Sequence, residues 1–523
     1  MGASLCLAAA PGCKNKEETP AEDKGGDSSD NSGGSPFGGM GPFAKIFASG
    51  LTEPGPYEER KKSPDFDEDK PHLLVMELDK PIAELETVSM FGTTTGKPLR
   101  KLQNQLVEAA KNEKVEGIVV RANGFSTSMA MAQELRASFE QFKAAGKSLH
   151  CHTEDVSNAG YYVMTACDKI GLSPLGDVMI TGAAATPIHV KGLLDRVGVT
   201  ADFLHVGDYK GAAEPITRDE PSAEMIETLE GLLDESYATL VKGLVDGRGL
   251  SEDEAKAAID TAMFVAKEAT DAKLVDEVTP WEDFLAATGK PWTKGKGMEN
   301  PLEDMSALQR FIGLLPPDRP SEPHVALVYA VGDVIDGTGT GIVGARQEIA
   351  SRTLVATLRA LAKDDNVKAI VLRVSSPGGS ARASELIWHA VDEVKKNKPV
   401  VVSMGEVAAS GGYYISAGAT KIFAQQNTIT GSIGVVGGKL VFGDALASVG
   451  VNTFEVQRGK RALMWSSMEP WDDEERAAVQ KMMELTYDEF VGRVMAGRSM
   501  ERDAVHGGGG EVPQAGGQGP APQ

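Results

Sequence analysis

The chain has 523 residues, more than one ordinary hydrophobic core accommodates, so two or more domains are expected. Its formal net charge is −22, which repels nucleic acid and anionic membrane faces and excludes both as principal partners. With 41% hydrophobic and 24% charged residues the composition is that of a soluble globular protein carrying some low-complexity sequence, and no run of 18 apolar residues predicts a membrane-spanning helix.

In chain order, residues 1–13 are uncharged and moderately apolar and end in Ala10-Pro11-Gly12-Cys13. Residues 14–70 are polar and rich in Gly, Ser and Asp up to about residue 62, and predict a disordered tether. Small residues before a cysteine, then a polar spacer, resemble a bacterial lipoprotein signal. Ala10 stands where Leu is usual and the charged leader is missing. A lipid anchor on Cys13 and an unmodified thiol in a disordered leader both stay open. Of the other cysteines, Cys151 and Cys167 read as two small buried residues, with a disulfide between them as the alternative. His150 and His152 flank Cys151 on one strand face without a third ligand, so no metal is expected.

The remainder is an internal duplication. Segments beginning at His72, Val115, Gly160 and Val197 reappear at His324, Val367, Gly412 and Val449, at one offset of 252 residues (324 − 72, 367 − 115, 412 − 160, 449 − 197). In each copy, short β-branched runs (117–121 and 369–374) read as buried strands. Residues 348–363 and 383–396 read as amphipathic helices around the second of them. Alternation of strand and helix predicts an α/β fold with a parallel sheet in each of two tandem domains, 71–287 and 324–506. Residues 288–323 predict a linker with one helix at 301–315, and the Gly-rich residues 507–523 predict a disordered tail where a further helix and strand of the second copy were due.

Chemistry concentrates in the second copy. Ser376-Pro377-Gly378-Gly379 ends a strand in a turn whose glycines let backbone N–H groups face outward, the requirement of an oxyanion site. Thirty residues on, Ala409-Ser410-Gly411-Gly412 places a hydroxyl among small residues at a helix entry, where it reads either as a nucleophile or as an N-cap. The first copy has Asn158 opposite Ser410 and Asn123-Gly124-Phe125 opposite the Pro-Gly-Gly turn, so the frame is kept and the nucleophile is lost. None of the eight histidines sits in a triad motif, and no G-x-S-x-G elbow is present. A lysine can serve instead as base if desolvation brings its pKa toward neutrality. Gly339-x-Gly341-x-x-Gly344 has no acidic ribose ligand after the next strand, so no nucleotide and no other cofactor is expected.

Together these segments resemble the long form of bacterial signal peptide peptidase A (protease IV), a serine–lysine peptidase of the Clp protease and crotonase folds, over about residues 70–505. The resemblance implies Lys210, in Tyr209-Lys210-Gly-Ala-Ala-Glu214-Pro215, as general base and Ser410 as nucleophile. It implies Ser432, in Thr430-Gly431-Ser432-Ile-Gly434-Val435, as the hydroxyl that orients the lysine. Gly378 and Gly379 become the oxyanion site, the Gly379 amide foremost, with Gly411 and Gly431 beside the substrate groove. Lys460, at nearly the corresponding place in the second copy, is the alternative base, and its neighbours Arg458 and Arg461 argue for an exposed segment. By the same resemblance the substrates are signal-peptide remnants and similar apolar peptides. The resemblance further implies a homotetramer at the cell envelope, facing the periplasm and tied to the membrane by an N-terminal anchor. A crotonase-type acyl-CoA enzyme and a non-catalytic scaffold lipoprotein are the rival readings.

Overall fold

The computed structural model describes residues 60–85, 87–88, 94–295, 320–339 and 348–506. Cys13 and most of the tether, the 301–315 helix, the glycine loop beyond Gly339 and the 507–523 tail lie outside the described residues.

In the first copy the principal elements are β1 (His72–Leu78), α1 (Leu99–Lys111), β2 (Val115–Ala122), α2 (Met129–Ala144), β3 (Ser148–Ser157), α3 (Asn158–Met164), β4 (Lys169–Met179), α4 (Lys191–Arg196) and β5 (Thr200–Val206). They are followed by α5 (Ala223–Arg248), α6 (Glu252–Thr261), β6 (Met263–Val265), β7 (Glu277–Val278), α7 (Trp281–Ala286) and β8 (Trp292–Thr293). The sheet runs β6-β4-β3-β2-β1-β8 with β7 also on β4, parallel except where β6 meets β4. β2 is apolar through Gly117-Ile-Val-Val120, all buried, as a strand covered on both faces must be. α1 buries Leu99, Leu102, Leu106 and Ala109, one stripe at helical spacing, against that sheet. Ser128 starts α2 by accepting a bond from the Met131 N–H.

The second copy repeats the plan with β9 (His324–Val331), β10 (Asp333–Ile335), β11 (Glu348–Ala350), α8 (Ser351–Lys363), β12 (Val367–Ser376), α9 (Ala381–Lys395), β13 (Val400–Ala409), α10 (Gly411–Ala417), β14 (Lys421–Phe423), β15 (Ile429–Gly431), β16 (Val435–Val441), α11 (Gly443–Ser448) and α12 (Asp473–Arg498). Its parallel sheet runs β9-β12-β13-β14, with β15 further along β13. Leu74 pairs with Ile118 in the first sheet and Ala326 with Ile370 in the second, each 252 residues apart, so the duplication extends to register.

Several expectations need correction. β8 falls in the stretch expected as linker, yet Leu73 and Leu74 pair with Trp292 and Thr293, because an apolar Trp completes the layer over Leu73 and Val75. The end of the expected tether is packed too: the Ser63 N–H donates to the Trp292 carbonyl at 2.9 Å, and Phe66 lies edge-on to His72. Residues 348–350 are strand, paired with β10, rather than the first turn of α8. Cys151 on β3 and Cys167 before β4 form a disulfide with Cα atoms 5.9 Å apart, where two reduced thiols were favoured. Spacing along the sequence held no sign that the β3 and β4 entries are adjacent.

The copies meet along one antiparallel ladder, β5 of the first on β16 of the second, in register from Val206↔Val435 to Thr200↔Val441. Elsewhere between the copies, buried Arg373 of β12 reaches Glu84 through two hydrogen bonds and Glu134 through a third at 2.8 Å. Buried Asp202 accepts from the Trp471 N–H at 2.8 Å and pairs with Arg476.

Candidate active site

Ser410 follows β13 and precedes α10. At that junction its φ is 52° and ψ −119°, a backbone conformation that costs a non-glycine residue about 1–3 kcal/mol. Its side chain makes no capping bond, so the N-cap alternative fails although the position is the right one. The hydroxyl remains available. The turn is held by the Ser410 N–H donating to the Gly431 carbonyl at 2.9 Å, where β13 and β15 pair at Ala409 and Gly431.

The Pro-Gly-Gly turn lies against Ser410. A Cβ on Gly378 (φ 115°) would stand 2.8 Å from Ser410 Cβ and 2.7 Å from Gly411 N, and one on Gly379 (φ 145°) would strike the Val334 carbonyl at 2.2 Å. Only glycine fits at either place. The Gly378 N–H donates to Ser376 Oγ at 3.2 Å, so this amide, expected as an oxyanion donor, is occupied. The bridge to Val334 uses the Gly378 carbonyl and the Ser380 N–H and leaves out the Gly379 N–H. Gly411, expected along the groove, has its α-carbon facing Ser384 Oγ, Gly378 and Gly379 N. Its N–H opens helix α10 and has no intrahelical acceptor. Among the described residues the Gly379 and Gly411 N–H groups are left without a backbone acceptor, and both lie beside Ser410. Gly431 faces open space, with nothing within 4 Å of a Cβ built on it.

Lys210 reaches the same place from the first copy. It follows β5, is 7% exposed, and its Nζ donates to both the carbonyl and the hydroxyl oxygen of Ser432, each at 3.0 Å. Burial alone lowers its pKa from 10.5 to about 8. Gly434 makes room for it: a Cβ there would sit 3.0 Å from Lys210 Cβ and 2.8 Å from the Val206 carbonyl. Ser432, at φ 51°, follows the residue that holds the Ser410 N–H, so lysine and serine are clamped by adjacent residues of one loop. Lys460, by contrast, is exposed and pairs with Glu474.

Three contributors went unremarked in the sequence. Ser376 fixes Gly378, Gly434 admits the lysine stem, and Glu214 anchors the Lys210 loop by accepting from Ser222 N and Oγ at 2.8 and 2.6 Å. All three stand inside motifs already singled out, which is the signal that was present. Among the described residues no group of three or more His, Cys, Asp or Glu is placed to hold a metal.

The sequence model of Peptidase family S49 matches residues 141–295 and 392–508, over half the chain and in both copies. The chain belongs to Peptidase family S49. A Clp protease model matches residues 341–430, which hold the Pro-Gly-Gly turn and Ser410. Among relatives of this S49 chain, Protease 4 of Haemophilus influenzae is 31% identical over 76% of the chain and 65% of that protein. Protease 4 of Salmonella typhi is 31% identical over 80% and 68%. The chloroplastic serine protease SPPA of Arabidopsis thaliana is 26% identical over 83% and 64%. The chain thus spans about two thirds of the length of these relatives.

Proposed function

We propose that the protein is a serine endopeptidase in which Ser410 is the nucleophile and Lys210 the general base. The observation that carries this is a buried lysine of one copy, bonded to Ser432 beside the residue that fixes the strained Ser410 of the other. A neutral Lys210 amine takes the hydroxyl proton as Ser410 Oγ bonds to the substrate carbonyl carbon. The carbonyl oxygen becomes an oxyanion facing the Gly379 and Gly411 amides. Collapse breaks the C–N bond, and the Lys210 ammonium returns the proton to the departing amine. Water then attacks the acyl ester with the same lysine as base, releasing the acid and restoring Ser410. No other group is needed to balance the protons.

The substrate reading is extended peptides with small or apolar residues, cleaved signal peptides among them, because the surroundings of Ser410 are glycine and alanine and the surface beyond Gly431 is open. The cell envelope is the proposed location, with a lipid on Cys13 as the anchor. A Cys151–Cys167 disulfide suits an oxidising compartment. Among the described residues no helix is long and apolar enough to cross a membrane. Labelling by a fluorophosphonate probe together with hydrolysis of a signal-peptide-like peptide tests the assignment. Both are expected in the parent and absent from Ser410→Ala. An unlabelled parent that turns over an acyl-CoA thioester would replace it with the crotonase-type reading.

A further inference from the structure

Helix α10 carries Ser410 at its entry, and the Tyr414 N–H closes its first turn by donating to the Ser410 carbonyl at 2.8 Å. Seven residues are too few to hold a helix by its own backbone, so the packing around α10 sets where the serine is held. Tyr414 is buried and supplies much of that packing. Its ring stacks on Phe490 of α12 with centroids 4.5 Å apart, and its hydroxyl donates to Glu385 Oε2 of α9 at 2.6 Å. Arg493 of α12 grips the same carboxylate through Nε at 3.1 and 3.2 Å and through Nη2 at 2.5 Å. His389 Nε2 lies 2.8 Å from Glu385 Oε1, and the Arg493 guanidinium lies 4.4 Å from the centroid of the Trp388 ring. Against the cost of burial, Arg493 and Tyr414 hold the Glu385 carboxyl below its ordinary range.

The first copy shows what the fold requires without this network. α5 and α12 each have 26 residues and match at an offset of 250 (473 − 223), and each crosses the short helix at a glycine. A Cβ on Gly247 would stand 2.2 Å from the Thr165 carbonyl oxygen, and one on Gly497 1.9 Å from that of Ala417. One turn earlier, Arg493 is matched by Gly243 (493 − 243 = 250), where a Cβ would strike the Tyr162 ring at 2.5 Å. Tyr162 occupies the place of Tyr414 (414 − 162 = 252). Gln133 replaces Glu385 (385 − 133 = 252) and accepts from the Asn427 N–H at 3.1 Å. The copy with Asn158 in place of Ser410 thus keeps the helix crossing and lacks both the carboxylate and the guanidinium. In the second copy α12 also supports the other half of the site. Tyr487 and Phe490 share a buried cluster with Tyr414, against which pack Val206 at the end of β5 and Ile433 and Val435 on either side of Gly434.

We infer that Tyr414 is a positioning residue for Ser410, held by Glu385 and Arg493 so that α10 keeps the serine hydroxyl and the Gly411 N–H aligned with Lys210. The inference rests on the assignment of Ser410 and Lys210 made above. The clamp is built into the packing of α9, α10 and α12, so it fixes the reacting geometry and leaves the binding of a peptide alone. A misplacement of about 1 Å at a reacting group costs about a hundredfold in rate. Loss of the clamp therefore falls on kcat and spares KM.

The test compares full-length Tyr414→Phe with Tyr162→Phe, each of which removes one hydroxyl from a buried ring at the same place in its copy. The rate of labelling by a fluorophosphonate probe and the kcat and KM for a signal-peptide-like peptide are measured, with Tm as the readout of folding. Tyr414→Phe is expected to lower labelling and kcat by about 10–100-fold with KM within about twofold, and Tyr162→Phe to leave all three within about twofold of the parent. Glu385→Gln keeps an acceptor for the phenol and weakens the Arg493 pair, so it is expected to lower kcat by about 3–10-fold, and it decides the matter should Tyr414→Phe not fold. Parent rates in Tyr414→Phe, or in Glu385→Gln where the former does not fold, would overturn the inference. So would a raised KM at unchanged kcat, or an equal loss of kcat in Tyr162→Phe. A parent that takes no label, or a label that persists in Ser410→Ala, would instead overturn the Ser410 assignment and the inference with it.

Discussion

Lys210 is buried yet still largely protonated at neutral pH, and holding that charge away from water costs folding stability. Folded, it releases its proton near pH 8, whereas the unfolded chain holds that proton to about 10.5. Below pH 8 both states are charged and the folded state bears the full desolvation cost. Between pH 8 and 10.5 only the unfolded chain is protonated, so stability rises with pH across that window. Lys210→Met is therefore expected to abolish turnover while raising Tm at pH 7, a gain of about 1–3 kcal/mol that shrinks toward pH 10 in thermal scans. Activity of the parent is expected to climb with one proton released as pH passes about 8. Ser410→Ala is expected to retain less than about a hundredth of peptide hydrolysis, and Lys460→Ala most of it, because Lys460 is exposed and paired with Glu474. Asn158→Ala is expected to leave the chemistry intact: Asn158 Nδ2 donates to the Gly182 carbonyl at 2.7 Å, inside the first copy. The residues of the proposed dyad, Lys210 and Ser410, stand in sequence motifs of the two copies. The division of labour among the amides was not legible there, because which N–H is occupied depends on Ser376 Oγ and on the Val334 bridge, contacts that no spacing encodes.

At the scale of elements, the join between copies rests on a ladder and on a buried charge cluster. Arg373 keeps two carboxylates company with little water, and burial raises the Glu134 pKa even beside the guanidinium. Arg373→Ala leaves both acids uncompensated and is expected to cost about 3–5 kcal/mol, read as lowered Tm. A disulfide closing a loop of this length contributes about 3 kcal/mol, so Cys151→Ser with Cys167→Ser is expected to lower Tm by several degrees without altering the pH profile. Strand and helix alternation showed the elements, since buried runs such as Gly117–Val120 read as strand from composition alone. β8 was missed because two residues carry no period, and only their pairing with β1 makes them a strand.

For the whole molecule, the offset of 252 residues was the most productive signal, as it gave two copies and one position, Asn158 opposite Ser410, where they differ. It did not show which strand joins the copies, because β5 and β16 pair across 229 to 241 residues (435 − 206 and 441 − 200) and become neighbours only after both domains fold.

Placing Lys210 and Ser410 on different copies has a further effect during synthesis. The base emerges from the ribosome 200 residues ahead of the nucleophile (410 − 210), and domains fold as units from the N-terminus. A half-made chain, or a fragment holding one domain, owns an unassisted serine or a lysine with nothing to activate. On the proposed assignment, proteolytic power stays latent until the second domain docks its edge strand on the first, and the cell is spared a peptidase that is active while still incomplete.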